Sequence, residues 1–188
     1  DNLKGYKPEI ILSADLFGYV AAQREDLSIG KRLDDIGGAF DYVSFMVYPS
    51  HYYNGLYLPA DPGRGLPAVN YTFAQARTNP DAVAERSLLA ARDFLDRKIA
   101  ASTPLERNSL TGSTAASSTL IEVAAGGAAS ATSRVRARLR PWLEDFFHEE
   151  DKTAGRPYGA QKVRMQIDAA ERVEDHGWLL WNAANVYT

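Results

Sequence analysis

The sequence predicts an α/β fold that corresponds to half of a (β/α)8 TIM barrel. Four short apolar segments, at 9–14, 42–48, about 135–143 and 177–181, have the length and composition of strands. Helical patterns separate them, which favours a parallel sheet over a meander. Four β/α units are half of the eight that close a barrel of about 250 residues. We therefore expect residues 1–188 to form one domain, the C-terminal half of such a barrel. A small open sheet of four strands is the alternative that periodicity leaves open.

Three helical patterns lie between the predicted strands. The first, at 29–36, is short, and one of its faces carries Ile29, Leu33 and Ile36. The clearest begins at Pro80, after Asn79 as the predicted N-cap. Its apolar stripe comprises Leu88, Ala91, Leu95 and Ile99. The third, at 160–173, has an apolar side formed by Val163, Ile167 and Ala170.

Two long segments have no clear period. Residues 49–78 are rich in Tyr, Pro, Gly and Asn, which is typical of an irregular but ordered binding loop. Residues 109–133 are almost wholly Ala, Ser, Thr and Gly, which indicates a low-complexity insertion. The simplest interpretation of that insertion is a surface loop without function.

The composition excludes several classes of function. With 21 basic and 24 acidic residues the formal charge is -3, so a nucleic-acid partner is not expected. No apolar run approaches the roughly 20 residues that span a bilayer. The chain has no Cys, and its three His lack metal-ligand spacing. Because dinucleotide, phosphate-loop, serine-hydrolase and zinc-protease motifs are also absent from the sequence, we expect neither a metal nor a cofactor.

The predicted first strand supplies the first candidate catalytic residue. Ligand sites of parallel β/α proteins lie at the carboxyl ends of the strands. Alternation places Ser13 and Asp15 on one face there. Asp15 is therefore a candidate acid, although a carboxylate that caps the following turn would look the same.

Aromatic residues follow the second strand. Ser44, Met46 and Tyr48 share one face of the strand, and His51 and Tyr52 follow shortly after it. Rings with polar edges suit a sugar, which stacks its C–H face on a ring and hydrogen-bonds at its rim. Simple packing of the loop is the alternative.

The two later strands add further polar and aromatic residues. Arg140, Trp142 and Glu144 share one parity, so Glu144 is either an acid/base or an anion paired with Arg140. Asp145, on the opposite parity, is expected in a loop or behind the residues that contact ligand. The last strand offers Trp178 and Trp181 as stacking surfaces and continues into Asn182.

Carboxylates among aromatic rings are the combination that glycoside hydrolysis requires. Moreover, the ordered set SADLFG (13–18), DYVSFMVYPSHY (41–52), RPWLEDF (140–146), VRMQIDAA (163–170) and GWLLWNAANVYT (177–188) resembles a bacterial family of glycoside-hydrolase-like TIM barrels. The resemblance spans nearly the whole chain except the insertion. It implies that these are the last four strands of the barrel and that the N-terminal half, with a further catalytic Asp, is a partner of this one.

These observations lead to one hypothesis and two rivals. The hypothesis is an enzyme that hydrolyses O-glycosidic bonds of an oligo- or polysaccharide, which favours an extracellular or cell-envelope protein. Asp15 and Glu144 are its expected catalytic residues. The expected sugar-binding residues are Tyr48, His51, Tyr52, Arg140, Trp142, Trp181 and Asn182. The rivals are a non-catalytic carbohydrate-binding barrel and a protein-interaction module that uses residues 49–78.

Overall fold

A parallel sheet forms the centre of the molecule. The computed structural model describes residues 2–23, 33–36, 40–102, 136–146, 148–153, 155 and 158–188. The strands are β1 Ser13–Phe17, β2 Tyr42–Val47, β3 Leu56–Leu58, β4 Val69–Tyr71, β5 Arg138–Leu139, β6 Trp142–Glu144 and β7 Leu179–Trp181. The helices are α1 Asn2–Tyr6, α2 Gly18–Gln23, α3 Leu33–Ile36, α4 Phe73–Thr78, α5 Pro80–Ser102, α6 Glu149–Thr153 and α7 Ala160–Val173. Two 3-10 turns cover Pro49–His51 and Pro62–Arg64.

Among the described residues, five strands form the main sheet. Its order is β1-β2-β6-β7, with β5 also paired to β2, and every pair is parallel. The α/β class predicted from the sequence is therefore confirmed. The described residues form an open sheet with edges at β1 and β7, and they do not close a barrel.

Two strands begin later than the sequence predicts, and a third is interrupted. Ser13 pairs with Tyr42, the first residue of β2, so residues before Ser13 have no partner strand. The third predicted strand is divided into β5 and β6 around Pro141, which has no N–H to donate to a ladder. The last strand begins at Leu179 instead of residue 177.

The core lies between this sheet and the two long helices. Val43, Phe45 and Val47 alternate onto one face of β2, and all three are fully buried. Helices α5 and α7 pack against each other, and an ion pair of 2.8 Å between Glu85 Oε2 and Arg172 Nη2 links them. The burial of a side chain such as Val43, Phe45 or Val47 stabilises the fold by about 1.5–3 kcal/mol.

The helix predictions agree with the structure except at one cap. α7 has the predicted bounds, and α5 begins at Pro80. Asn79 does not act as a side-chain N-cap: its Nδ2 donates to the Gln75 carbonyl at 2.8 Å and closes the preceding helix, α4. The predicted residues 29–32, the side chain of Ile99 and the insertion 109–133 lie outside the described residues.

Residues 49–78 contain short regular elements where the sequence predicted an ordered but irregular loop. β3 and β4 form an antiparallel hairpin because Leu56 and Leu58 alternate into the core while Tyr57 faces solvent. A capping box between Thr72 and Gln75 then starts α4. Strands of three residues are too short for periodicity to reveal them.

None of the helices that the structure describes has the length and apolar character needed to cross a membrane.

Candidate functional site

A cavity of about 680 Å³ opens where strands β1 and β2 end. Its size is typical of a site for a small organic ligand. β1 and the start of α2 provide one wall, β2 and the turn after it provide the floor, and β6 and β7 contribute tryptophans. The lining residues are Asp15, Phe17, Gly18, Tyr19, Met46, Tyr48, His51, Tyr52, Tyr53, Trp142 and Trp181.

Asp15 supplies the carboxylate of this cavity. Within β1, Ser13, Asp15 and Phe17 are exposed while Leu16 is buried in the core, so alternation turns Asp15 toward the cavity. The Trp142 indole Nε1 donates a hydrogen bond of 3.2 Å to Asp15 Oδ1. Asp15 is the one carboxylate among the described lining residues.

The side chains of Tyr48 and His51 are both uncharged at neutral pH and can act as hydrogen-bond donors or acceptors. Burial raises the pKa of Tyr48, and the negative charges of Asp15 and Glu144 raise it further. Its hydroxyl thus stays protonated beside Asp15. Burial lowers the pKa of His51, and the Glu144 carboxylate opposes this effect only in part. The imidazole is therefore neutral at neutral pH.

Tyr52 lies under the cavity. It is 2% exposed, its ring meets Tyr19 edge-to-face at 4.7 Å, and burial raises the pKa of its hydroxyl. Gly18 packs directly over that hydroxyl. Tyr52 therefore shapes the floor and keeps its ring away from solvent.

Glu144 lies behind the cavity wall, fully buried. Its Oε2 accepts a hydrogen bond of 2.8 Å from the Ser50 backbone N–H, and its Oε1 lies 2.8 Å from His148 Nε2. The Gln166 side-chain amide also bonds both the N–H and the C=O of Glu144, at 3.0 and 2.8 Å. The carboxylate thus fixes the turn that carries His51.

Two predicted binding residues, Arg140 and Asn182, are not among the described residues that line the cavity. The Arg140 guanidinium lies 4.4 Å from the centre of the Tyr42 ring. Asn182 is buried, and its side chain organises the turn after β7 by donating to the Val186 carbonyl at 2.7 Å and accepting from the Ala184 N–H at 2.8 Å.

The two predicted tryptophans form an aromatic wall. The Trp142 and Trp181 rings meet edge-to-face with centroids 6.3 Å apart. Trp181 is 42% exposed. The sequence left open which tryptophan of the last strand faces ligand, and the structure places Trp181 in the cavity lining, with Trp178 Nε1 donating instead to Glu171 at 3.1 Å.

The predicted site set lacked five lining residues, Phe17, Gly18, Tyr19, Met46 and Tyr53, and the supporting residue His148. Phe17 was recognisable because it has the parity of Asp15 on β1. Tyr53 and His148 gave only weak signals, since neither lies in a strand. Gly18 gave none, because its role depends on the approach of Tyr52 from another segment.

In the part of the chain that the structure describes, no three His, Asp or Glu side chains cluster in an arrangement that could hold a metal ion.

The fold and the site together define an α/β protein with an aromatic, carboxylate-bearing cavity at the ends of parallel strands. The model of a family described as "Putative glycosyl hydrolase domain" matches residues 3–108 and 106–187, so the chain belongs to that family. The resemblance of the sequence to a glycoside-hydrolase-like family is thereby confirmed. Comparisons with curated proteins and with solved structures find no match.

Proposed function

We propose that this protein hydrolyses O-glycosidic bonds of an oligo- or polysaccharide and that Asp15 is one of its two catalytic carboxyl groups. The observation that carries the proposal is the position of Asp15, in a cavity otherwise lined mainly by aromatic residues. Ring faces bind the C–H surfaces of sugars, and a carboxyl group beside them is placed for proton transfer or attack at the anomeric carbon. Membership of the family supports the glycosidase chemistry.

Each neighbour of Asp15 has a role in this proposal. The Trp142 N–H holds one carboxylate oxygen in place. The protonated Tyr48 hydroxyl bonds a sugar hydroxyl, and the exposed faces of Phe17 and Trp181 receive the sugar ring. Glu144, expected from the sequence as the second catalytic group, acts here as a positioning residue because Ser50 and His148 occupy its oxygens.

The second catalytic carboxylate is proposed to come from a further set of β/α units that completes a barrel. The sheet edges at β1 and β7 leave backbone groups without a partner strand among the described residues. Open sheet edges of this kind are usually paired or covered by another segment. Such a partner would also narrow the cavity and supply the missing carboxyl group.

Hydrolysis assays with the full-length protein test the proposal. A panel of soluble polysaccharides and chromogenic glycosides is incubated with the protein, and new reducing ends or released chromophore are measured. Asp15→Asn is expected to lower turnover about 10²–10⁴-fold, the usual contribution of one acid/base group. Asp168→Asn, a matched change on the exposed face of α7, is expected to leave turnover unchanged. Turnover that survives Asp15→Asn would exclude this catalytic assignment.

A carbohydrate-binding protein without turnover is the second candidate. It is favoured by the single carboxylate among the described lining residues, because hydrolysis by the two-carboxylate mechanism needs a pair. In that case the wild-type protein binds saccharides without cleaving them, and Asp15→Asn changes affinity only slightly. Trp142→Ala then weakens binding, since both the stacking surface and the contact with Asp15 are lost.

A further inference from the structure

A row of aromatic rings leads out of the cavity along the surface. The Tyr48 and His51 rings have centroids 5.2 Å apart, and His51 and Tyr53 are 5.9 Å apart with planes inclined by 21°. Tyr53 and Phe73 follow at 5.4 Å and 26°. The Arg77 guanidinium, 5.3 Å from the centre of the Phe73 ring, lies at the outer end. Tyr53 belongs to the cavity lining, whereas Phe73 lies beyond it.

The backbone fixes the positions of these rings. The Ser50 N–H bound to Glu144 fixes the turn that presents His51. In the chain, the β3–β4 hairpin lies between Tyr53 and Phe73. Because the hairpin brings its two ends together, these two residues meet although they are twenty positions apart. The Thr72 capping box fixes the first residue of α4, which is Phe73. The row is therefore part of the ordered fold.

Tyr53 is 69% exposed although it has ordered aromatic neighbours on two sides. An exposed ring of this kind adds little to the core, since most of its surface stays in contact with water. The centroid distances and shallow angles indicate offset rings, and the 69% exposure of Tyr53 leaves part of its ring accessible. Such a narrow, single-file row suits a linear ligand better than a broad protein interface.

We propose that Tyr53 and Phe73 form an outer subsite for a polysaccharide chain, one of whose units occupies the cavity. The proposal rests on the function proposed above, since it assumes a saccharide in the cavity. The rings would stack on sugar units that precede or follow that unit, and the Arg77 guanidinium would lie near sugar hydroxyls at the outer end. The subsite therefore selects chains over mono- and disaccharides.

Chain-length dependence of binding tests the outer subsite. Affinity electrophoresis and calorimetry would compare the full-length wild-type protein and its variants on amylose, dextran, xylan, laminarin and hydroxyethyl cellulose, and on the disaccharide of each polymer. Phe73→Ala is expected to weaken polymer binding about three- to tenfold, the range of one aromatic contact. Disaccharide binding is expected to change less than twofold, because Phe73 does not line the cavity. Tyr53→Ala is also expected to lower the ratio of polymer affinity to disaccharide affinity.

Tyr57→Ala provides the matched control. Tyr57 is 51% exposed on β3 and takes no part in the row, so its removal is expected to leave both affinities unchanged. Unaltered polymer binding in folded Phe73→Ala and Tyr53→Ala variants would overturn the outer subsite while the proposed function stands. Equal losses for polymer and disaccharide in Phe73→Ala would also overturn it. A wild-type protein that binds none of these saccharides would overturn both proposals.

Discussion

Replacement of Gly18 by alanine is expected to disturb the floor of the cavity. A Cβ built on Gly18 would lie 2.5 Å from the Met46 carbonyl oxygen and closer still to the Tyr52 hydroxyl. Neither neighbour can easily move. Met46 belongs to β2, in the middle of the sheet, and Tyr52 is 2% exposed within the core.

The expected cost follows from these two contacts. Overpacking by one methyl group in a tight core costs about 1–3 kcal/mol. Since both contacts are far below van der Waals distance and one is to backbone, we expect a loss of about 2–3 kcal/mol in the free energy of unfolding for Gly18→Ala. For a chain of 188 residues this corresponds to a fall in Tm of roughly 4–12 °C.

Urea and thermal unfolding followed by circular dichroism measure this loss. Gly5→Ala is the matched control, because a Cβ at Gly5 meets nothing within 4 Å, and we expect no loss of stability there. Adding Tyr52→Phe to Gly18→Ala removes the hydroxyl contact but leaves that with Met46, so partial recovery is expected. A Gly18→Ala variant as stable as the wild type would refute the packing argument.

Two further predictions concern buried and partly buried carboxylates. Glu144→Ala leaves the Ser50 N–H and the His148 ring without their partner, and we expect a loss of about 1–3 kcal/mol in urea unfolding. Glu144→Gln, whose amide oxygen still accepts from Ser50, should lose less, and equal losses for the two variants would contradict this assignment. The pKa of Asp41 is held below its usual range by hydrogen bonds from the Leu12 N–H and then from Lys4. Its carboxylate therefore stabilises the fold above about pH 4, and this stabilisation is lost as the pH falls through the lowered pKa. Asp41→Asn is expected to be less stable at pH 5 and to show a flatter decline in urea midpoint below pH 4; a decline as steep as that of the wild type would contradict the prediction.

The sequence predicted those parts of the fold that depend on local periodicity. The 160–173 helix has a regular apolar stripe and was predicted with its observed bounds. The parity of Asp15 on the first strand also follows from alternation alone. Elements of three residues, such as β3, are too short to show a period, and their formation depends on a partner strand. For that reason the hairpin within 49–78 was not foreseen.

The roles of the candidate site residues could be predicted only in part. Tyr48, His51, Trp142 and Trp181 line the cavity because they lie on or after inward-facing strand positions. Arg140 has the same parity as Trp142, yet it packs on Tyr42 near the other end of the sheet. Parity gives the face of a sheet but not the depth along the strand at which the site lies.

The sequence by itself determined the α/β class, the family and the set of residues at strand ends, because periodicity and motifs are local properties of the chain. It did not distinguish Asp15 from Glu144, which share inward parity on their strands. Only the tertiary structure shows how differently they are placed, since the turn at Ser50 and the helix that carries Gln166 approach Glu144 from 94 and 22 residues away and enclose it. Asp15 is exposed on β1 and lines the cavity, where chemistry on a ligand is possible.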